Sequence, residues 1–345
     1  MPEIKENELK EQIKTGNFSR LYFICGEEDY MKKVYVERLL KAIVPPEFEA
    51  FNLHTLEGNE TNVDTIAECV EAMPMMSEYV CVLVKDFRID ELNETEKKKF
   101  EELISDLPDT TVLIFWMYSI EVNPKGTKWK SPVTKMSKVG DIVNFSRLTQ
   151  SDLAKLLISG AKKRKCELDR VCANYLVETV GEDLNSLLNE LEKICFYINE
   201  GVINKEVIDK LATKSVEASA FDLVNAIVAR KSKTAMSILN SLFALKTDPI
   251  MIMGAIISTY VDMYRTKVTG VCGKHIYSLS DYFSYGKSTF RLDKATRFSS
   301  RLSIEQLRKC LDELMIADQG LKSTATDKRF LVEKCVVKLI MISGE

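Results

Sequence analysis

The spacing of apolar residues changes character once along the chain. Up to residue 147, short β-branched or aromatic runs at Leu21–Cys25, Phe51–Leu56, Tyr79–Val84, Thr111–Met117 and Asp141–Phe145 alternate with helix-period stretches at Tyr30–Ile43, Val63–Met73 and Glu91–Leu107. Several of the runs are apolar at nearly every position, which suits strands covered on both faces by helices. This alternation predicts a parallel α/β sheet.

After Leu148 strand-like runs give way to long helical periodicities, and no proline follows Pro249. Thr149-Gln150-Ser151-Asp152 offers caps for a helix starting near Leu153, and Gly181 and Gly201 bracket another over Asp183–Ile198 with Leu184, Leu187, Leu188, Leu191 and Ile194 on one face. Further helices are expected from Phe221, over Ile250–Val268, Ile304–Ala317 and Phe330–Ile342, with a loop or irregular hairpin over Gly270–Ser288. The expected class is α/β plus all-α: a sheet domain over 1–147, a small helical lid over 148–213 and a helical bundle over 214–345.

Composition agrees with this partition. A chain of 345 residues with 46% hydrophobic content exceeds one small core. A formal net charge of -3 gives no large field of either sign, so charge alone does not point to nucleic acid, and any basic patch must be local. Nine scattered cysteines without a C-x-x-C spacing fit reduced thiols and a cytoplasmic location. His54 and His275 are too far apart in sequence to complete a zinc set, so no metal or cofactor is expected. No uninterrupted apolar run is long enough to suggest a membrane partner.

The turn after the first strand run has the layout of a phosphate loop, strand then tight turn at Gly26 then helix, without its chemistry. Glu27, Glu28 and Asp29 stand where an anion would sit. Like charges about 4 Å apart repel by about 4 kcal/mol at an effective dielectric near 20. No nucleotide is expected there.

Leu21-Tyr22-Phe23-Ile24-Cys25-Gly26-Glu27-Glu28-Asp29-Tyr30, then Phe51-Asn52-Leu53 with Glu57-Gly58, resembles the opening of the delta subunit of the bacterial DNA polymerase III clamp loader. Val180-Gly181-Glu182-Asp183-Leu184 with Asn189-Glu190-Leu191-Glu192-Lys193 resembles the lid signature of that family, and Ala317-Asp318-Gln319-Gly320-Leu321-Lys322 its late collar motif. The resemblance implies a AAA+-like sheet domain without a working P-loop, a lid and an oligomerising collar, and a subunit that does not hydrolyse ATP. Active relatives end the third strand on a magnesium-holding carboxylate, where this chain has Lys85, with Asp86 one residue later on the opposite face. Asn185 stands where their lid supplies an arginine.

Met73-Pro74-Met75-Met76 is the sharpest functional candidate. Thr61 and Asp64 give a weak capping box, Val63, Ile66, Ala67, Val70 and Met73 form an apolar stripe, and Pro74 is expected to end the helix. From the residues alone, Met75 and Met76 read most simply as gap-fillers of the core. The resemblance implies instead that the pair plugs a hydrophobic pocket on the sliding clamp (the beta subunit). The other implied partners are the ATPase and delta-prime subunits, met through the collar, and primed DNA within the assembly. An ATP-hydrolysing clamp-loader subunit or motor is the alternative. Lys162-Lys163-Arg164-Lys165 is a compact basic run, read as a solvated helix end or as a DNA-backbone contact. Gly286-Lys287-Ser288-Thr289 copies the end of a Walker A motif, but Asp281 holds the place of its first glycine, so it reads as a polar loop.

Overall fold

The computed structural model describes residues 4–283, 285, 290–323 and 326–345, with the side chain of Phe290 excepted. The Gly286–Thr289 tetrapeptide lies outside the described residues. The chain divides into two compact units, one ending at Leu148 and one running from Thr149 to Glu345.

In the first unit the elements are α1 (Glu6–Thr15), β1 (Leu21–Cys25), α2 (Asp29–Ile43), α3 (Glu49–Asn52), β2 (Leu53–Glu57), α4 (Val63–Val70), β3 (Val80–Lys85), α5 (Glu94–Ser105), β4 (Thr111–Trp116), α6 (Thr127–Met136) and β5 (Asp141–Asn144). The five strands form one parallel sheet in the order β2-β3-β4-β1-β5. Alternate residues explain the near-continuous apolar runs. Leu21, Phe23, Val82, Val84, Leu113 and Phe115 face a core closed by Ile66 of α4, Phe100 of α5 and Trp129 of α6. Their neighbours Tyr22, Ile24, Cys81, Leu83, Val112 and Ile114 are equally buried, as are Tyr35, Val36 and Leu39 of α2. The sequence pattern gave no sign of α1 or α6. Pro132 lies inside α6 and only Trp129, Val133 and Met136 of that helix are buried.

In the second unit, α7 (Gln150–Lys163), β6 (Cys166–Glu167), α8 (Arg170–Val180), α9 (Leu184–Ile198), β7 (Gly201–Val202) and α10 (Lys205–Leu211) come first. Then follow α11 (Val216–Val228), α12 (Ser232–Ala244), α13 (Pro249–Val271), α14 (Phe290–Ser299), α15 (Ile304–Ser323) and α16 (Lys328–Ile342), with a 3-10 turn over Ile276–Asp281. The all-helical expectation needs one amendment, because β6 and β7 pair in parallel through Cys166↔Gly201 and Glu167↔Val202. Caps fall where polar residues precede apolar runs: Thr149, Asp169 and Asp183 each accept from a backbone N–H in the first turn of α7, α8 and α9. Buried side chains of α11 to α16, from Ala220 to Ile342, share one apolar cluster. All nine cysteines are free, and seven are buried. Among the described residues no helix is long and apolar enough to cross a membrane, and no three His, Cys, Asp or Glu side chains gather as a metal set.

Candidate functional site

Two features of the sheet domain carry candidate chemistry, one at each end of its strands. The first is the connection between α4 and β3. The helix is shorter than the sequence suggested, ending at Val70 rather than running to Pro74. Pro74 has no N–H to give to the Val70 carbonyl one turn back, and it disfavours helical backbone at Met73. The Thr111 hydroxyl takes that carbonyl instead, at 2.9 Å. At the other end, the cap is Asn62, whose Oδ1 accepts from the Thr65 N–H at 2.9 Å, and not Thr61. Asn62 sits directly before the first helical residue, the position whose side chain reaches the free N–H groups of the first turn.

Beyond α4 the chain is held by Asn52, the last residue of α3, which is wholly buried. Its Oδ1 accepts from the Met75 N–H at 2.7 Å, and its Nδ2 donates to the Met75 carbonyl at 2.8 Å and to the Phe48 carbonyl at 3.3 Å. One side chain thus clasps both backbone polar groups of Met75. The next residue, Met76, takes a left-handed φ of 57°, uncommon outside glycine and asparagine. With the backbone tied down, the side chains turn outward: Met75 is 55% exposed and Met76 84%. They are not core filler. Met73, two residues before Met75, is exposed, as is Phe51 beside Asn52, while Pro74 is partly covered. Several large apolar side chains left in water on a short connection make it a candidate interaction surface.

The second feature is the turn at Gly26, at the carboxyl end of β1 and hence at the edge where open parallel sheets bind ligands. Gly26 has φ +116°, and a Cβ there would lie 2.3 Å from the Phe145 carbonyl oxygen. Only glycine fits. The three acidic residues part company after the turn: Glu27 is exposed, Glu28 is buried, and Asp29 binds the ammonium of Lys32 at 2.9 Å.

Lys32 is the residue that sequence reasoning missed. It stands six positions after Gly26, the spacing of first glycine to lysine in G-x-x-x-x-G-K, but Met31 replaces the second glycine and Lys33 the hydroxyl residue. The side chain is buried and turns inward, its Nζ donating to the Met117 carbonyl at 2.8 Å and the Tyr118 carbonyl at 3.1 Å. An ammonium has three donors, and here all three are spent on Asp29, Met117 and Tyr118. None is left for a phosphate.

Asp86 is also committed elsewhere. With φ 54°, its carboxylate accepts from the Ser119 N–H at 2.8 Å, the Ser119 hydroxyl at 2.7 Å and the Ile120 N–H at 3.2 Å, tying the segment after β4. Lys85, which ends β3, lies 3.5 Å from Glu57 and within 5.4 Å of the Tyr118 ring. In the second unit, Asn185 is exposed on the first turn of α9. The basic run Lys162, Lys163, Arg164 and Lys165 is exposed at the end of α7, with Arg164 paired to Glu192 at 3.4 Å and Lys165 to Glu200 at 2.7 Å.

A parallel five-stranded domain whose phosphate-loop turn is filled by its own lysine, joined to a helical unit, defines a AAA+-like protein. The chain belongs to the DNA polymerase III delta subunit family. The family model "DNA polymerase III, delta subunit" matches residues 22–138, and "DNA polymerase III delta subunit, C-terminal domain" matches 217–339. Among relatives, the chain is 26% identical over 339 residues to DNA polymerase III subunit delta of Bacillus subtilis, covering 95% of both chains. It is 22% identical over 255 residues to the probable DNA polymerase III subunit delta of Aquifex aeolicus, covering 72% of this chain and 71% of that one. Of solved structures, a Bacillus subtilis DNA clamp loader delta protein has the same fold, with a TM-score of 0.65 at 23% identity over 97% of this chain and 99% of that one.

Proposed function

We propose that this chain is the clamp-loader subunit that grips the sliding clamp, that Met75 and Met76 on the Pro74 turn are the gripping residues, and that it hydrolyses no ATP. The observation that carries the reading is the pair of exposed methionine side chains on a backbone clasped by a buried asparagine. A flexible, polarisable side chain suits an apolar pocket on another protein. Held in advance, it binds without the cost of ordering its loop.

The work is mechanical. A surface that binds an open or strained clamp more tightly than the closed ring shifts the ring toward opening, by as much as the two affinities differ. The ATPase and delta-prime subunits meet the collar formed by residues 214–345, residues 148–213 act as the lid, and primed DNA enters within the assembly in the cytoplasm. The absence of ATP hydrolysis is supported by Lys32, whose donors are used internally, and by the acidic turn at Glu27, Glu28 and Asp29.

The experiment is replacement of Met75 and Met76 together by alanine, followed by titration of the clamp. Burying each methionine contributes about 1.5 kcal/mol at the low end, so the double variant should bind about 100-fold more weakly. Unchanged affinity removes the proposal.

A further inference from the structure

In the second unit, the buried side chains of α11–α16 share one apolar cluster to which no side chain of α7–α10 belongs. Leu153, Leu176, Leu187 and Leu191 of α7, α8 and α9 are buried outside it. The two parts are joined by residues 212–215 and by a backbone hydrogen bond across the joint, from the Ser215 N–H to the Thr179 carbonyl at 2.9 Å. On its own, α8 ends unfavourably. Glu178 stands in its last turn, at the negative end of the helix dipole, and no basic residue of that turn stands with it.

A compensating charge comes from α14. Lys294 and Phe298 are one turn apart on that helix and both meet Phe221 of α11, Lys294 with its ammonium 5.3 Å from the ring centroid and Phe298 ring to ring at 6.4 Å. The lysine stem is thereby held, and its half-buried ammonium lies in the field of Glu178 of α8 and Asp222 of α11. Burial pushes the Lys294 ammonium down and the Glu178 carboxyl up, and each shift is opposed by the other group's charge. Lys205 of α10 also acts on Glu178, and Lys214 of the link pairs with Asp222 at 3.0 Å. Lys294 acts on an acid from each part.

We propose that Lys294 latches α7–α10 onto the α11–α16 bundle as the shared counter-charge of Glu178 and Asp222, with residues 212–215 as the hinge that it holds closed. Without that ammonium, Glu178 is left half-buried beside another acid and the negative end of its own helix, a setting in which an uncompensated charge is strongly destabilising. The relief is a rotation of α8 away from α11, which returns the carboxylate to water and breaks the Ser215–Thr179 hydrogen bond. The inference does not depend on the role of Met75 and Met76.

The test is hydrogen exchange at the Ser215 amide of the full chain, which reports whether the joint is closed. Lys294→Met keeps an apolar stem against Phe221 and removes the charge. Exchange at Ser215 should rise about tenfold, a coupling of the size usual within one ion-pair network, while the amides of α16 keep their wild-type protection. Glu178→Gln combined with Lys294→Met should restore slow exchange, because α8 then carries no charge to strand. A packing role for Lys294 would give no such rescue. Unchanged protection of Ser215 in Lys294→Met, a double variant that exchanges as fast as the single one, or a rise that extends to α16 overturns the proposal.

Discussion

Asn52→Ala isolates the presentation of the two methionines from the methionines themselves. The substitution leaves every exposed apolar side chain in place and removes three hydrogen bonds, two to Met75 and one to Phe48. Three hydrogen bonds at about 0.5–1.5 kcal/mol each lower global stability by about 1.5–4.5 kcal/mol. A separate effect falls on recognition. Fixing the backbone of one residue costs about 1–2 kcal/mol, and Met75 and Met76 both have to be re-ordered on binding once the clasp is gone. The clamp should then bind at least about 30-fold more weakly, since 1.4 kcal/mol is tenfold. Calorimetric titration of the clamp at a temperature where the variant is fully folded gives the affinity, and hydrogen exchange at the Met75 amide reports the clasp. If that amide exchanges freely in Asn52→Ala while clamp affinity stays at the wild-type value, preorganisation of the connection has no part in binding.

Two further outcomes concern the rest of the sheet domain. Lys32→Met should destabilise the chain by about 1–3 kcal/mol in urea unfolding, because the Met117 and Tyr118 carbonyls lose their donor, and neither it nor wild type should give a saturable signal with fluorescent ATP; saturable binding by wild type alone would mean that the lysine serves a phosphate. Burial raises the Glu6 pKa, but hydrogen bonds from Lys10 and Tyr35 outweigh it and hold the carboxyl below its ordinary value of 4.5. A depressed carboxylate stabilises the fold above its unfolded pKa and loses that contribution as pH falls through the folded value, so wild type should lose more of its urea midpoint below pH 4.5 than Glu6→Gln does; parallel profiles would refute the assignment.

What could be read along the chain was whatever burial imposes locally. The runs at Leu21–Cys25 and Thr111–Met117 were legible because both faces of a covered parallel strand must be apolar, and their ends lie within a residue of β1 and β4. The start of α7 was legible to within three residues, since Thr149-Gln150-Ser151-Asp152 offers caps for a helix near Leu153 and the helix begins at Gln150, and α9 was legible from its glycine brackets and apolar face, with Asp183 turning out to be its cap rather than its first residue. α6 was not, since it buries only three side chains, carries Pro132 and turns a polar face outward, which leaves no stripe to detect. The same dilution concealed its charge: Lys128, Lys130 and Lys135 form no run, and the helix turns them away from the buried Trp129, Val133 and Met136.

The candidate site divides in the same way. The sequence by itself determined that an apolar pair, Met75 and Met76, follows a proline, and that the Gly26 turn is acidic. Only the tertiary structure decided that the pair points outward and that the loop's lysine is already spent. The reason is the parallel sheet. β2 and β3 are parallel neighbours, so the residues leading into each meet at one edge, and Asn52 reaches Met75 across 23 positions of sequence. β1 and β4 are parallel neighbours too, so the helix after β1 and the segment after β4 meet at the opposite edge, where Lys32 finds the Met117 and Tyr118 carbonyls.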